Sequence, residues 1–318
     1  MLRYCLILPL ALLYLPATTD VLEEGAVRVS YHERDKAAAE WSLDVVREAL
    51  AEFGDELPPG DEPIHVIVAH TLNEFMQYAH RFSGLTVSGV AKSRQGLIVV
   101  KAPRLRKASG DFAGTLRHEL VHVLLYRNAD TGALPRWMNE GIAMSLANEY
   151  RWASMLKVAR MFLENRIIEY RHLDRAFLAP GNEMEFNDAY AQALSMTRSL
   201  RDWVGEERFW NVVRGTSALS FPDALRRFGG MSTREFWQRY KRSLYKIALI
   251  GTLASGSFFT PAALLLIVAY IRRRAKDRKI IRRWEAEEAA NADAPEIFSW
   301  DAVVEDPDAW KQGYDQDD

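Results

Sequence analysis

Thr115 to Ala147 reads TLRHELVHVLLYRNADTGALPRWMNEGIAMSLA. His118 and His122 stand four residues apart around Glu119, and Glu140 follows in WMNEG. On an α-helix, residues i and i+4 lie one above the other, so both imidazoles would project from one face. Leu116, Leu120, Val123 and Leu124 supply apolar positions at helical spacing, which predicts a helix over 114–126 with a buried side.

Two neutral imidazoles so placed can hold Zn2+ at about 2.0–2.1 Å. Glu119, on the adjoining face, can take a proton from water activated by the ion. A catalytic zinc takes three protein ligands, and His2Glu is one accepted set. Pro135 suits the first turn of a second helix, and Glu140 on that helix would complete the set. Gly141, directly after it, is expected to let the two helices approach closely. A helix with incidental surface His and Glu would require nothing of this kind downstream.

Outward from the motif, AVRVSYH (26–32) reads as a strand. Ala37, Trp41, Val45, Ala49 and Phe53 recur at helical spacing, and GDELPPGDEP closes that helix. IHVIVAH reads as a core strand, NEFMQYAHRF as a helix, and SGVAK with GLIVVKAP as a hairpin around 93–96. From Trp137 to Trp237 almost every periodic stretch is helical, with Trp137 read as packing. The expected fold class is therefore α+β: a small mixed sheet, the motif helix, then a helical subdomain, with a cleft between the two parts. His32, His65, His70 and His80 have no ligand spacing and read as surface or core residues.

The first residues, MLRYCLILPLALLYLPATTD, match a secretory signal over 1–19, and the only cysteine, Cys5, lies within it. Ile247 to Ile271 is an uncharged apolar run, long enough at about 1.5 Å per residue to cross a bilayer and tolerant of Pro261 there. Arg272 to Arg283 is basic, so the positive-inside bias puts residues 20–246 outside the cytoplasm and 272–318 within it. A single-pass membrane protein with one C-terminal transmembrane helix is the expectation. The acidic tail reads as solvated, with Trp300, Trp310 and Tyr314 available to a cytoplasmic partner. A net charge of −2 and a pI near 6.4 give no basis for nucleic-acid binding.

HELVH followed by LPRWMNEGIA resembles the gluzincin metallopeptidases of the peptidase MA clan, in particular the small bacterial peptidase-MA-like domain. The resemblance covers most of 26–245 and includes VRVSYHERD, IHVIVAHTLNEF, SGVAKSRQGLIVV and DAYAQALSMTRSLRDWVGEERFW. It implies a thermolysin-like core and Zn2+ held by His118, His122 and Glu140, with Glu119 as the catalytic base. It also implies an oxyanion donor on a later helix, for which Tyr190 is the candidate and His172 the reserve. A peptide or protein substrate would pair with an edge strand resembling Gly89, Val90, Ala91 and Lys92. Lys92 and Arg94 read as a solvated hairpin tip. Leu125 and Asn128 stand where a metzincin needs glycine and a third histidine. SGVAK lacks the acidic anchor of an aminopeptidase, which favours an endopeptidase. Met144 departs from the pattern, replacing an acidic residue that in some gluzincins supports the ligands. The alternative is a non-catalytic peptidase fold used for binding or scaffolding, which has no need of Glu119 beside a metal.

Overall fold

Every residue of Ile64–Ala69 except His65 is buried, with Val66 and Val68 in one apolar cluster and Ile67 and Ala69 in another. Strand side chains alternate between two faces, so this segment has to lie in a sheet covered on both sides. A computed structural model of the chain, describing residues 19–79, 87–105, 111–147, 151–178, 180–254, 265 and 268–274, has that arrangement. β1 (Thr19–Glu24), β2 (Val27–His32), β3 (Ile64–Ala69), β4 (Gly89–Lys92) and β5 (Leu97–Lys101) form one mixed sheet. Its order is β1-β2-β3-β5-β4, with β2, β3 and β5 parallel and both edge strands antiparallel to their neighbours.

α1 (Lys36–Phe53) joins β2 to β3, and α2 (Leu72–Ala79) follows β3. Phe75 and Ala79 of α2 cover the face carrying Ile67, Ala69, Leu97 and Val99. α1 and α3 (Phe112–Asn128) pack on the opposite face. The buried side of α1 runs through Ala39, Ser42, Val46, Ala49 and Phe53. Ala37 and Trp41, expected on that side, are exposed, and Trp41 lies over the Phe112 ring at 5.0 Å. β1 was not among the expected strands. It starts at the last residue of the expected signal and forms a hairpin with β2, closed at Gly25, whose φ of +59° costs a residue without Cβ little. Residues 1–18, the rest of that signal, lie outside the described residues.

The helical half comprises α4 (Arg136–Leu146), α5 (Arg151–Leu163), α6 (Tyr170–Leu178), α7 (Glu183–Val204), α8 (Glu206–Gly215), α9 (Phe221–Gly229) and α10 (Thr233–Ala254). α7 packs against α4, α5, α6 and α8. Trp137 is buried and stacks on Phe236 at 5.5 Å, as its packing role requires. Gly141 departs from expectation, because it faces α7 rather than α3. A Cβ there would fall on Thr197 Oγ1 and lie 2.6 Å from Ala193 O. The α+β class and the small mixed sheet hold, and most of the described chain is helical.

The expected C-terminal transmembrane helix is not supported: among the described residues no helix is long and apolar enough to cross a membrane. The start of that run belongs to α10, which continues from the charged segment before it. Ile247 and Ala248 pack on the domain core, so the expected boundary at 246 falls inside a packed helix. Residues 255–264 and 266–267 of the run, and the tail from 275, lie outside the described residues. The chain divides into units 1–258 and 259–318; in the second, residues 268–274 are helical.

The ends of the parallel strands bring together three residues far apart in sequence. Asp35, buried before α1, accepts from His70 Nδ1 at 2.7 Å and from Arg104 Nε at 3.0 Å. His32 stacks on His70 at 3.8 Å. Burial opposes ionisation of Asp35, but hydrogen bonds from Arg104 and His70 outweigh it and hold the carboxyl below its ordinary range.

Candidate metal centre

Asp111 starts α3 by accepting from Gly114 N at 2.9 Å, which satisfies a backbone donor of the first turn. The helix runs two residues further at each end than its spacing predicts. Leu116, Leu120, Val123 and Leu124 are fully buried, so the opposite face carries His118, Glu119 and His122 to the cleft. Pro135 precedes α4, whose second turn brings in Glu140, only 8 % exposed.

His118 Nε2 and His122 Nε2 each lie 3.5 Å from Glu140 Oε2. The three ligand atoms all fall within 4.8 Å of one another. A tetrahedral ion with bonds of about 2.0–2.2 Å keeps its ligand atoms roughly 3.4 Å apart, which the two 3.5 Å separations match. Glu140 Oε2 is buried without a hydrogen-bond partner, an arrangement that is costly unless a cation satisfies it. Burial by itself would raise the Glu140 carboxyl. The facing imidazoles, His122 first and then His118, outweigh burial and hold it well below the usual carboxylate range. His118, His122 and Glu140 can therefore hold a metal ion.

Met144 is buried and offers no charge to the site, yet His122 has a support of another kind. Its Nδ1 lies 2.6 Å from Asn139 Oδ1. The amide oxygen accepts the Nδ1 proton and orients the ring so that Nε2 is the nitrogen available to a metal ion. Asn139 directly precedes Glu140, but its role depends on the crossing of α3 and α4, which spacing along the chain does not reveal.

The ligands sit in a cleft of about 440 Å³. β4 forms one wall through Gly89, Val90 and Ala91, and Phe177, Leu178, Phe186 and Tyr190 of α6 and α7 form the other. β4 is a sheet edge, as expected, and its approach to α3 requires glycine. A Cβ at Gly89 would lie 2.7 Å from Thr115 Cγ2 and 2.8 Å from Glu119 Cγ. Lys92 at the other end folds over the Tyr78 ring at 5.0 Å.

Tyr190 enters the cleft from α7 and lines it together with Glu140 and Glu119. Phe186 and Phe177 hold its ring edge-on at 4.8 and 5.1 Å. Burial, then the charges of Glu140 and Glu119, push its phenol well above the ordinary value, so it keeps its proton at neutral pH. His172, the reserve donor, is exposed on α6 and does not line the cleft. Arg136 and Asp174 do line it, although neither belongs to a motif. No family model matches the chain, and no curated protein matches its sequence.

Proposed function

We propose that the chain is a zinc-dependent metallopeptidase of gluzincin type, acting on peptide bonds as an endopeptidase. One observation carries this reading: two imidazole nitrogens and a buried carboxylate oxygen converge in an open cleft beside Glu119. The nitrogen and oxygen donors suit Zn2+ among biological divalent ions, and a cleft beside them leaves room for water and substrate. Zinc held by His118, His122 and Glu140 would supply Lewis acidity, for polarising a carbonyl and for lowering the pKa of water towards neutrality.

The residues divide the remaining work. Glu119 takes the proton of the attacking water as its oxygen bonds to the carbonyl carbon, and passes it to the departing amine as the C–N bond breaks. Tyr190 donates its hydroxyl proton in a hydrogen bond to the carbonyl oxygen as negative charge develops there. Asn139 keeps His122 in the tautomer that presents Nε2. The outer edge of β4 supplies backbone groups for an extended peptide. The signal-like residues 1–19 favour action outside the cytoplasm.

The test is metal content and turnover on the purified chain. Wild type is expected to hold about one zinc, His122→Ala and Glu140→Ala much less, and Glu119→Gln as much as wild type while losing peptide hydrolysis. Turnover that survives in Glu119→Gln would remove the mechanism, and a folded chain that takes up no zinc would remove the reading.

A further inference from the structure

Among the described residues lining the cleft, Arg136 is the only lysine or arginine. The three acidic residues there, Glu119, Glu140 and Asp174, do not neutralise it. Glu140 faces His118 and His122, and Glu119 lies at the metal end beside Gly89. Asp174 Oδ1 accepts from Trp137 N at 3.2 Å, which already serves the N-terminus of α4. The Arg136 side chain forms neither a hydrogen bond nor an ion pair among the described residues. By contrast, Arg104 and Arg166 are each engaged by carboxylates.

Its position is otherwise unfavourable. Arg136 is the first residue of α4, where the helix dipole disfavours a cation. Its side chain is exposed and lines the same cleft as Glu119, Glu140 and Tyr190, so the guanidinium is open to a ligand bound there. A guanidinium presents a planar fork that matches a carboxylate with two parallel N–H···O bonds. Phe177, Leu178 and Phe186, which line the same cleft, would take the apolar side chains of the same ligand.

We propose that Arg136 is a specificity-determining residue that binds a carboxylate carried by the peptide substrate. This rests on the peptidase reading and deepens it by naming a substrate class: extended peptides with an acidic group close to the scissile bond. The carboxylate comes from an Asp or Glu side chain or from the peptide's own C-terminus.

The experiment uses the zinc-loaded full chain and quenched fluorescent peptides in which Glu or Gln occupies, in turn, each of three positions on either side of the cleaved bond. Each peptide is made with a free and with an amidated C-terminus. Wild type is expected to prefer Glu over Gln by about tenfold in kcat/KM at one position, as one charge-assisted pair gives. A preference for free acid over amide assigns the contact to the terminal carboxylate instead. Arg136→Gln should bring the ratio to about one, and Arg136→Glu should invert it in favour of Lys-bearing peptides. Because each ratio is internal to one preparation, a smaller folded fraction does not move it.

If nothing is cleaved, binding of the same peptides to the Glu119→Gln chain, read by fluorescence anisotropy, carries the test. A Glu preference that disappears with Arg136→Gln supports the inference even though the peptidase reading has failed. A preference retained in Arg136→Gln, or no carboxylate preference in either assay, overturns it.

Discussion

Asn139 Oδ1 accepts a hydrogen bond from His122 Nδ1 at 2.6 Å, one residue before Glu140. A single turn of α4 thus provides one member of the candidate metal cluster and aims another. Asn139→Ala removes the acceptor while leaving all three ligands in place, and zinc affinity should fall about 10- to 100-fold. Competition with a chelator of known affinity measures this, and Asn139→Asp, which keeps an acceptor, should retain most of the binding.

Tyr190→Phe separates the two roles open to its hydroxyl. As an oxyanion donor, its loss should lower kcat by about 10²-fold with zinc content and KM little changed. A fall in zinc content, with normal turnover per bound ion, would instead make Tyr190 a support for Glu140.

Gly89→Ala puts a methyl group against Thr115 Cγ2 and Glu119 Cγ. Either β4 moves outward or Glu119 turns away, and both disturb the cleft. Peptide hydrolysis should drop at least tenfold, with about 1–3 kcal/mol of stability lost to overpacking and zinc retained. Thermal melting, metal analysis and turnover on one preparation distinguish these effects.

Gly141→Ala strikes a different contact, the seam between α4 and α7. It should destabilise the fold by about 1–3 kcal/mol. Adding Thr197→Ala should restore part of the loss and leave the clash with Ala193 O, so a double-mutant cycle by denaturant unfolding should show favourable coupling.

Asp35 titrates lower in the folded chain than its ordinary value of 3.8. The sign follows from linkage: its stabilising contribution is fully present above that value and is lost as pH falls through the depressed folded value. Asp35→Asn should therefore cost about 1.5–3 kcal/mol at neutral pH, as loss of a charge-assisted pair does. The gap between variant and wild type should close in acid, as urea unfolding at pH 7 and near pH 3 would show.

The cluster that could hold a metal was legible because helical geometry is local: His118 and His122 need only a spacing of four, and the buried leucines of α3 fix which way that face turns. Glu140 was legible because its helix begins at Pro135 and follows closely in the chain. Asn139 and Gly141 were harder, since one acts across the α3–α4 crossing and the other against α7, a helix that begins far downstream. The pairing of Asp35 with His70 and Arg104 spans 35 and 69 residues and exists only because parallel strands end side by side. β1 escaped notice because the signal-like pattern before it drew the boundary at its first residue. The apolar run from Ile247 reads as a membrane span by composition alone. Its first residues are apolar for a different reason, which is that α10 buries them against the core.

β4 has only four residues before the chain turns through Ser93–Gln95, and its last residue is a lysine. An edge that receives a guest peptide would equally receive the edge of another copy, the usual route by which sheets grow into aggregates. Four residues extend roughly 13 Å at about 3.3 Å each. Under the proposed function, that length would hold one short segment beside Glu119, and it offers too few backbone groups to seed a continuous intermolecular sheet. The brevity of the strand would leave the cleft open to a peptide without making it a site of polymerisation.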